Sequence, residues 1–255
     1  MSIINQHWSL ILQRLVLVSV FVIVWWLASL QMPAFILPGP QRVIEAVRRL
    51  FETPSFLNDV SATFRRVLLG FTLAMIVGAT LGLLLGANKI LARFFEPVLA
   101  VINTVSSAIW AIFAIIWFGI SDATTVFVVF MTAMPLILTN VWQGVQTVDR
   151  QYIQLALSLR MSKLAILRKI VFPSILPYFF SSARLAFGFG WRVSLVAETI
   201  GASEGIGYRL RQAADLVQTD QVFAWTLLLV MMMLFIESSV LKPLEKRLFR
   251  WKATT

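Results

Sequence analysis

The sequence predicts an all-α, polytopic membrane protein with about six transmembrane helices, and three observations support this class. Of 255 residues, 59% are hydrophobic and 13% are charged, whereas soluble domains carry about 25% charged residues. Three runs long enough to cross a bilayer contain no Asp, Glu, Lys or Arg, namely 67–87, 97–121 and 123–148. These runs also lack the polar face that core helices of soluble proteins show at helical spacing.

Three further spans are predicted where charges interrupt an apolar stretch only rarely. They cover 11–30, with Arg14 at its edge, 174–200, with internal charges, and 221–241, with Glu237 near its end. The first is about 20 residues long and no small-x-small cleavage site follows it, so we interpret it as a retained span and not as a signal peptide.

The basic residues predict the orientation of the spans, because loops rich in Lys and Arg stay in the cytoplasm. Six spans place both termini and the loops at 88–96 and 149–173 on one side, which holds the larger share of the 22 Lys and Arg residues. The sequence thus predicts a multi-pass membrane protein, surrounded by lipid, with both termini cytoplasmic. The net charge of +10 then reflects topology, since no basic, aromatic-bearing soluble face for nucleic acid exists.

Two local patterns predict helix environments. "QRVIEAVRRLF" at 41–51 places Val43, Val47 and Leu50 at helical spacing, which fits either a helix on the outer membrane surface or a plain linker helix. In the second span, small residues recur every fourth position from Gly70 to Gly86, a spacing that lets helix backbones approach closely in lipid. We assign this stripe to helix packing.

The residues that metal clusters, Ser-His catalysis and phosphate-binding loops require are missing from this sequence. His7 is the single histidine and there is no cysteine, so metal clusters and Ser-His catalysis are excluded. The phosphate-binding pattern G-x-x-x-x-G-K-[ST] is absent as well. We therefore predict a non-enzymatic chain with no metal and no cofactor, in which any ATP hydrolysis belongs to another subunit.

The loop at 149–173 is predicted to form two short helices with a turn at 159–161. Ser162 is expected to cap the second helix, and Pro173 to stop it, so that Pro173 and Pro177 become hinge points before the next span. The first helix carries apolar residues that require a partner in the cytosol. These are Tyr152, Leu155, Ala156 and Leu159.

This loop resembles the EAA loop of permease subunits in binding-protein-dependent ABC importers. The pattern E-A-A, three residues, G, nine residues, I-x-L-P keeps its spacing here, at Gln154, Leu155, Ala156, Arg160, Ile170, Phe172 and Pro173. Gln154, Leu155 and Arg160 depart from its consensus residues. Glycine at such a turn supplies a left-handed conformation that other residues adopt at about 1 kcal/mol, so Arg160 either bears that cost or the turn uses another geometry.

Two further stretches resemble the nitrate, sulfonate, taurine and pyrimidine-precursor branch of these permeases. They are "PVLAVINTVSSAIWAIFAIIWFGISDA" and "WRVSLVAETIGASEGIGYRL". The matching positions are Trp110, Trp117, Phe118, Gly119, Trp191, Glu198, Gly201, Gly205, Gly207 and Tyr208. The resemblance implies a type I importer permease-like fold in which residues 1–255 form a single transmembrane permease domain.

The resemblance also implies a location in the bacterial inner (cytoplasmic) membrane, a set of partners and a mechanism. A second permease copy, two ATP-binding-cassette ATPase subunits and an extracytoplasmic solute-binding protein are expected, with alternating access driven by ATP. The residues expected to couple to the ATPase are Tyr152, Gln154, Leu155, Ala156, Leu159, Arg160, Ile170 and Pro173. The solute expected is a sulfonate-, nitrate- or taurine-like anion, or a pyrimidine-like precursor.

A set of polar and aromatic residues is expected to line the solute path. They are Asn103, Ser106, Ser107, Trp110, Trp191, Arg192 and Glu198. Ser106 and Ser107 replace a proline pair common in the branch, and we expect them to bend the helix less than prolines would. Arg192 either faces the solute or makes a structural tie, since ionisable groups within a span are costly. For Glu198, beside a glycine-rich turn, a structural role is favoured.

Two other classes compete with this interpretation. A secondary transporter driven by an ion gradient would require coupling carboxylates near the membrane midplane and inverted repeats. Glu198 and Glu237 lie toward span ends, and no repeat is evident. A membrane scaffold that transports nothing would have no use for a docking loop of this spacing.

Overall fold

The protein is helical throughout the part that the structure, a computed structural model, describes, which is residues 2–248. The helices are α1 Ser2–Gln31, α2 Pro40–Glu52, α3 Phe56–Ala87, α4 Lys89–Thr104, α5 Ser107–Phe118, α6 Asp122–Gln146, α7 Arg150–Ser158, α8 Lys163–Ile166, α9 Phe172–Gly201, α10 Ile206–Asp215, α11 Thr219–Ile236 and α12 Lys242–Leu248. π-helical turns occupy Leu167–Val171 and Glu237–Leu241. The all-α prediction is confirmed.

Four helical stretches of the described chain are long and apolar enough to cross a membrane. They are Phe56–Ala87, Asp122–Gln146, Lys163–Gly201 and Thr219–Glu245. The pair α4 and α5 adds a fifth span if the two are counted together. The first predicted span is helical, but its apolar stretch Leu15–Gln31 is shorter than these. The described residues therefore approach the predicted six spans without reaching that number.

The span predicted at 97–121 is sharply bent, since α4 and α5 meet at 93°. Val105 and Ser106 are extended, and the Ser106 hydroxyl accepts a hydrogen bond from the Ile109 amide at 3.4 Å. The serine was expected to bond back to a carbonyl and to bend the helix little. Instead it caps a new helix, which breaks the span more sharply than a proline kink would.

Pro173, at the end of the loop at 149–173, also behaves differently from the prediction. Pro173 was expected to stop a surface helix, but the chain runs as one helical stretch over Lys163–Gly201. The π turn at Leu167–Val171 directly precedes the proline, and the Ser174 hydroxyl donates to the Ile170 carbonyl at 2.7 Å. The wider turn and this side-chain hydrogen bond accommodate the backbone N–H that proline lacks, so the helix of the loop continues into α9.

The chain divides into two compact units, Met1–Leu57 with Arg209–Val230 and Asn58–Tyr208 with Met231–Thr255. Within the first unit, the Trp25 ring stacks on Phe223 with centroids 6.0 Å apart. The Trp25 indole also donates to the Pro38 carbonyl at 3.1 Å. Helix α2 buries Val43, Ala46 and Leu50, whereas Val47 of the predicted apolar set is only half-buried.

Within the second unit, α6 packs against α9, and α5 packs against both. The small-residue stripe of α3 lies against α6. A methyl group added at Gly82 would lie 2.7 Å from the Leu138 carbonyl oxygen and 2.8 Å from Val141 Cβ. The predicted packing role of the stripe is confirmed, because only glycine permits this approach.

Candidate functional site

The loop at 149–173 has the two helices and the turn that the sequence predicts. Asp149 caps α7, and the Ser162 hydroxyl accepts a hydrogen bond from the Ala165 amide at 3.2 Å to cap α8. Arg160 is left-handed, with φ of 52°. The Met161 amide bonds to the Ala156 carbonyl at 3.0 Å, and the Arg160 amide bonds to the Leu157 carbonyl at 2.9 Å. This is a Schellman ending, so the turn keeps the conformation that glycine favours.

An apolar cavity of about 400 Å³ lies on this loop. Its lining includes most of the predicted coupling residues, namely Tyr152, Leu155, Ala156, Leu159, Ile170 and Pro173, together with Met161, Lys169 and Ser174. Tyr152, Leu155 and Leu159 are between 58% and 68% exposed, whereas Ala156 is 2% exposed. Gln154 and Arg160 are exposed outside the cavity. Ala156 thus packs within the loop and offers no surface to a partner.

A second cavity, of about 410 Å³, surrounds the break between α4 and α5. The break turns four of the predicted path residues into this space. They are Asn103, Ser106, Ser107 and Trp110. The cavity is also lined by Thr132, Pro135 and Leu136 of α6 and by Phe189 of α9.

A larger cleft, of about 650 Å³, lies between α9 and the last helical stretch of the second unit. Leu136 and Phe189 line both this cleft and the cavity at the break, so the two spaces adjoin. Arg192 lies one turn beyond Phe189 and lines the cleft, where its side chain is exposed. Within residues 2–248, its guanidinium has no hydrogen-bond or ion-pair partner.

The other charged groups of the cleft are paired. Arg184 donates to Glu237 at 2.6 Å and to Glu245 at 2.9 Å. Sequence reasoning noted internal charges in the span at 174–200 but missed this cluster. The signal was present, since Glu237 was recognised inside a span, where a carboxylate requires a cation.

Trp191 and Glu198, which were expected on the solute path, are both 0% exposed. Trp191 packs among aromatic rings, with its ring centroid 6.1 Å from that of Phe187. Glu198 accepts hydrogen bonds from Arg66, Thr63 and the Gly207 amide at 2.9–3.0 Å. Neither lines the cleft or the cavity at the break, so both leave the set of path residues.

The group around Glu198 is an ion-pair cluster that sequence reasoning missed. Arg66 lies within α3, just before the charge-free run at 67–87, and is 2% exposed. Its guanidinium donates to Asp122 at 2.6 Å and to the Glu204 carbonyl at 2.7 Å. Gly205, with φ of 112°, lies against this cluster, and a methyl group there would meet the Glu198 carboxylate at 2.8 Å. The cluster fixes the turn at 202–207.

Taken together, these features define a helical, multi-pass membrane protein with internal cavities and an exposed apolar surface on a basic loop. The model of the binding-protein-dependent transport system inner membrane component family matches residues 63–248. The chain belongs to this family of ABC importer permeases.

Curated relatives agree with this assignment. The chain is 26% identical over 241 residues to the taurine transport system permease protein TauC of Escherichia coli (strain K12), covering 91% of this chain and 87% of the relative. It is 33% identical over 201 residues to the bicarbonate transport system permease protein CmpB of Synechococcus elongatus (strain ATCC 33912 / PCC 7942 / FACHB-805), covering 74% and 72%.

Solved structures agree in fold. An inward-facing MetNI methionine ABC transporter chain matches with a TM-score of 0.66 at 17% identity, over 75% of this chain and 95% of that one. A chain of an amino acid ABC transporter matches with a TM-score of 0.62 at 18% identity, over 78% and 97%. The predicted type I importer permease fold is confirmed.

The family assignment decides between the classes that the sequence left open. The protein is a permease subunit of an ATP-driven importer, and it is neither an ion-gradient transporter nor a scaffold. It translocates solute and carries no enzymatic activity, since the ATPase of these importers is a separate subunit. An ATPase and a solute-binding protein are therefore its partners.

Proposed function

We propose that the cleft and the adjoining cavity at the α4–α5 break form the solute path, and that the solute is a small anion. The observation that carries this proposal is Arg192, an exposed arginine in a membrane-spanning helix with no partner among the described residues. An uncompensated charge within a span is costly and is retained for function. A guanidinium binds planar or tetrahedral oxyanions through paired hydrogen bonds.

The lining of the smaller cavity supports an anion as well. Asn103, Ser106 and Ser107 supply amide and hydroxyl donors at the break, beside the Trp110 ring. Such donors orient an oxyanion without adding further charge. Relatives are named for the transport or import of taurine, bicarbonate and nitrate, each of which carries an oxyanion group.

The exposed apolar residues of the loop support a docking role. Tyr152, Leu155 and Leu159 surround a cavity beside Ile170 and Pro173. We assign this surface to the ATPase subunit, because an apolar face in the cytosol gains stability when a partner covers it. Ala156, Gln154 and Arg160 then act through the shape of the loop. The helical stretch Lys163–Gly201 carries movement of the loop directly to Arg192.

The proposed assembly follows from the same features. Two copies of this chain, acting as one permease domain each over residues 1–255, associate with two ATPase subunits and receive solute from the extracytoplasmic binding protein. In this assembly the basic loop at 149–173, the ATPases and both termini lie in the cytoplasm of a bacterium, an orientation that the positive-inside rule supports.

Uptake by a reconstituted importer tests the anion path. We expect Arg192→Gln to lower uptake of taurine, nitrate or bicarbonate, whichever the binding protein delivers, about tenfold or more, because one charge-assisted contact supplies at least that factor. Association with the ATPase should be unchanged. Arg48→Gln is the control, since Arg48 is 84% exposed and does not line the cleft. Undiminished uptake by Arg192→Gln would remove Arg192 from the path.

A further inference from the structure

The cleft contains two arginines of the same helix in opposite states. Arg192 has no partner among the described residues. Arg184 is held by two carboxylates, with Nη2 at 2.6 Å from Glu237 Oε1 and Nη1 at 2.9 Å from Glu245 Oε2. One guanidinium is therefore available to a ligand, and the other is occupied by the protein itself.

The two arginines are successive positions along one route. They are eight residues apart on α9, which is about 12 Å along the helix axis, and both line the same cleft. Of the two arginines, Arg184 is nearer to the loop at 149–173. A solute anion that leaves Arg192 toward the loop end of the cleft next reaches Arg184.

The carboxylates that hold Arg184 are open to exchange. The side chains of Arg184, Glu237 and Glu245 are 34%, 27% and 39% exposed, so water and small ions reach them from the cleft. Ion pairs that are partly exposed in this way contribute little to the stability of the fold. Glu237 lies in the π turn Glu237–Leu241 and is also 3.7 Å from Lys242 Nζ, which gives its carboxylate an alternative cation when it releases Arg184.

The charges of this group cancel. Arg184, together with Lys242 at 3.7 Å from Glu237, offsets the charges of Glu237 and Glu245, so Arg192 is the charged lining residue of the cleft that this group leaves uncompensated. A carboxylate and a sulfonate or bicarbonate use the same two-point contact with guanidinium. The internal carboxylates are thus direct competitors of an anionic solute at Arg184.

We propose that Arg184 is a second anion-binding station of the cleft, and that Glu237 and Glu245 occupy it so that a small anionic solute is released past Arg184 without being retained there. This inference rests on the proposed anion path. Without the two carboxylates, Arg184 would hold the solute near the exit, and tight binding there would slow release.

Binding of a simple anion to the purified full-length permease tests the inference. The probe is radiolabelled methanesulfonate, measured by equilibrium dialysis at fixed ionic strength, with dimethyl sulfone as the neutral compound of similar shape. The wild-type chain should bind one methanesulfonate through Arg192. Glu237→Gln combined with Glu245→Gln should bind a second one, about tenfold more tightly than the first, since the freed Arg184 gains charge-assisted bonds.

Matched variants separate charge from shape. Adding Arg184→Gln to the double variant should abolish the second site. Glu52→Gln removes a carboxylate paired to Arg48 at 3.5 Å outside the cleft, and it should leave binding at the wild-type level. Glu245→Gln alone, at the more exposed partner, should raise affinity by a smaller factor, and it serves if the double variant does not assemble.

The outcomes distinguish the two proposals. If Arg192→Gln abolishes wild-type binding but the carboxylate variants bind no second anion, the station at Arg184 is refuted while the anion path stands. If the carboxylate variants gain a site that Arg184→Gln removes, while Arg192→Gln leaves wild-type binding unchanged, the station stands and the role of Arg192 fails. Equal binding of dimethyl sulfone would refute recognition by charge at either arginine.

Discussion

Arg66 and Glu198 form an ion pair that is almost wholly withdrawn from solvent, with Arg66 Nη1 3.0 Å from Glu198 Oε1 and side-chain exposures of 2% and 0%. The pair joins α3 to α9 across 132 positions of sequence. Thr63 links the same carboxylate to the following turn, because its hydroxyl donates to Glu198 and accepts from the Ile206 amide, both at 2.9 Å. The pair therefore holds together the end of α9 and the turn that follows it.

Removal of one partner of this pair should destabilise the permease. Glu198→Gln leaves the buried Arg66 guanidinium with less compensation, and we expect a loss of about 3 kcal/mol. Thermal unfolding in detergent measures this as a lower midpoint. Glu52→Gln is the matched control, since Glu52 is 65% exposed in a surface pair and such pairs contribute about 0–1 kcal/mol. Equal midpoints for the two variants would contradict a structural role for the pair.

Arg160→Gly should stabilise the loop. Arg160 adopts φ of 52° at the end of α7, and a residue with a Cβ atom bears about 1 kcal/mol in this conformation. A higher unfolding midpoint, or stronger hydrogen-exchange protection of α7, would confirm the expectation. Arg160→Ala is the control, because it removes the same side chain but keeps the Cβ atom, and it should show no gain. Stabilisation by alanine equal to that by glycine would show that backbone strain is not the cause.

Gly82→Ala should destabilise the helix pair α3 and α6. The added methyl group would lie 2.7 Å from the Leu138 carbonyl oxygen, so the helices would have to separate, at a cost of about 1–3 kcal/mol. Leu84→Ala on the same helix is the comparison, since Leu84 is 50% exposed and should lose less. The unfolding midpoint in detergent gives the ranking, and the reverse order would argue against close packing at the stripe.

Features that depend on one segment could be predicted from the sequence. The apolar runs predicted α3 and α6. The Ser162 cap and the turn at 159–161 were identified from spacing and residue type alone. These features follow from local propensity and from the length of a bilayer crossing. The EAA spacing then identified the family, although several of its consensus residues differ.

Features that join distant segments could not be predicted. The pairing of Arg66 with Glu198, and of Arg184 with Glu237, depends on which helix faces meet, and a single sequence does not fix that. The 93° bend at Ser106 was missed for another reason. A serine can either bond back within a helix or cap a new one, and the surrounding packing decides which conformation wins.

In our proposal, the apolar surface of the loop couples an ATPase to the solute path. The substitution Leu155→Asp is the direct test of this coupling. Leu155 is 58% exposed and lines the loop cavity, and a leucine side chain contributes about 1.5–3 kcal/mol when a partner buries it fully. Leu157→Asp is the control, because Leu157 lies on the same helix, is 55% exposed and does not line that cavity.

The measurement is co-purification of the ATPase subunit with each permease variant, followed by ATP-driven uptake in proteoliposomes. We expect Leu155→Asp to lose the ATPase or to uncouple its hydrolysis from uptake, while the permease still inserts and Leu157→Asp behaves as the wild type. Normal ATPase binding and normal uptake by Leu155→Asp would contradict the account, because the loop surface would then not be the contact.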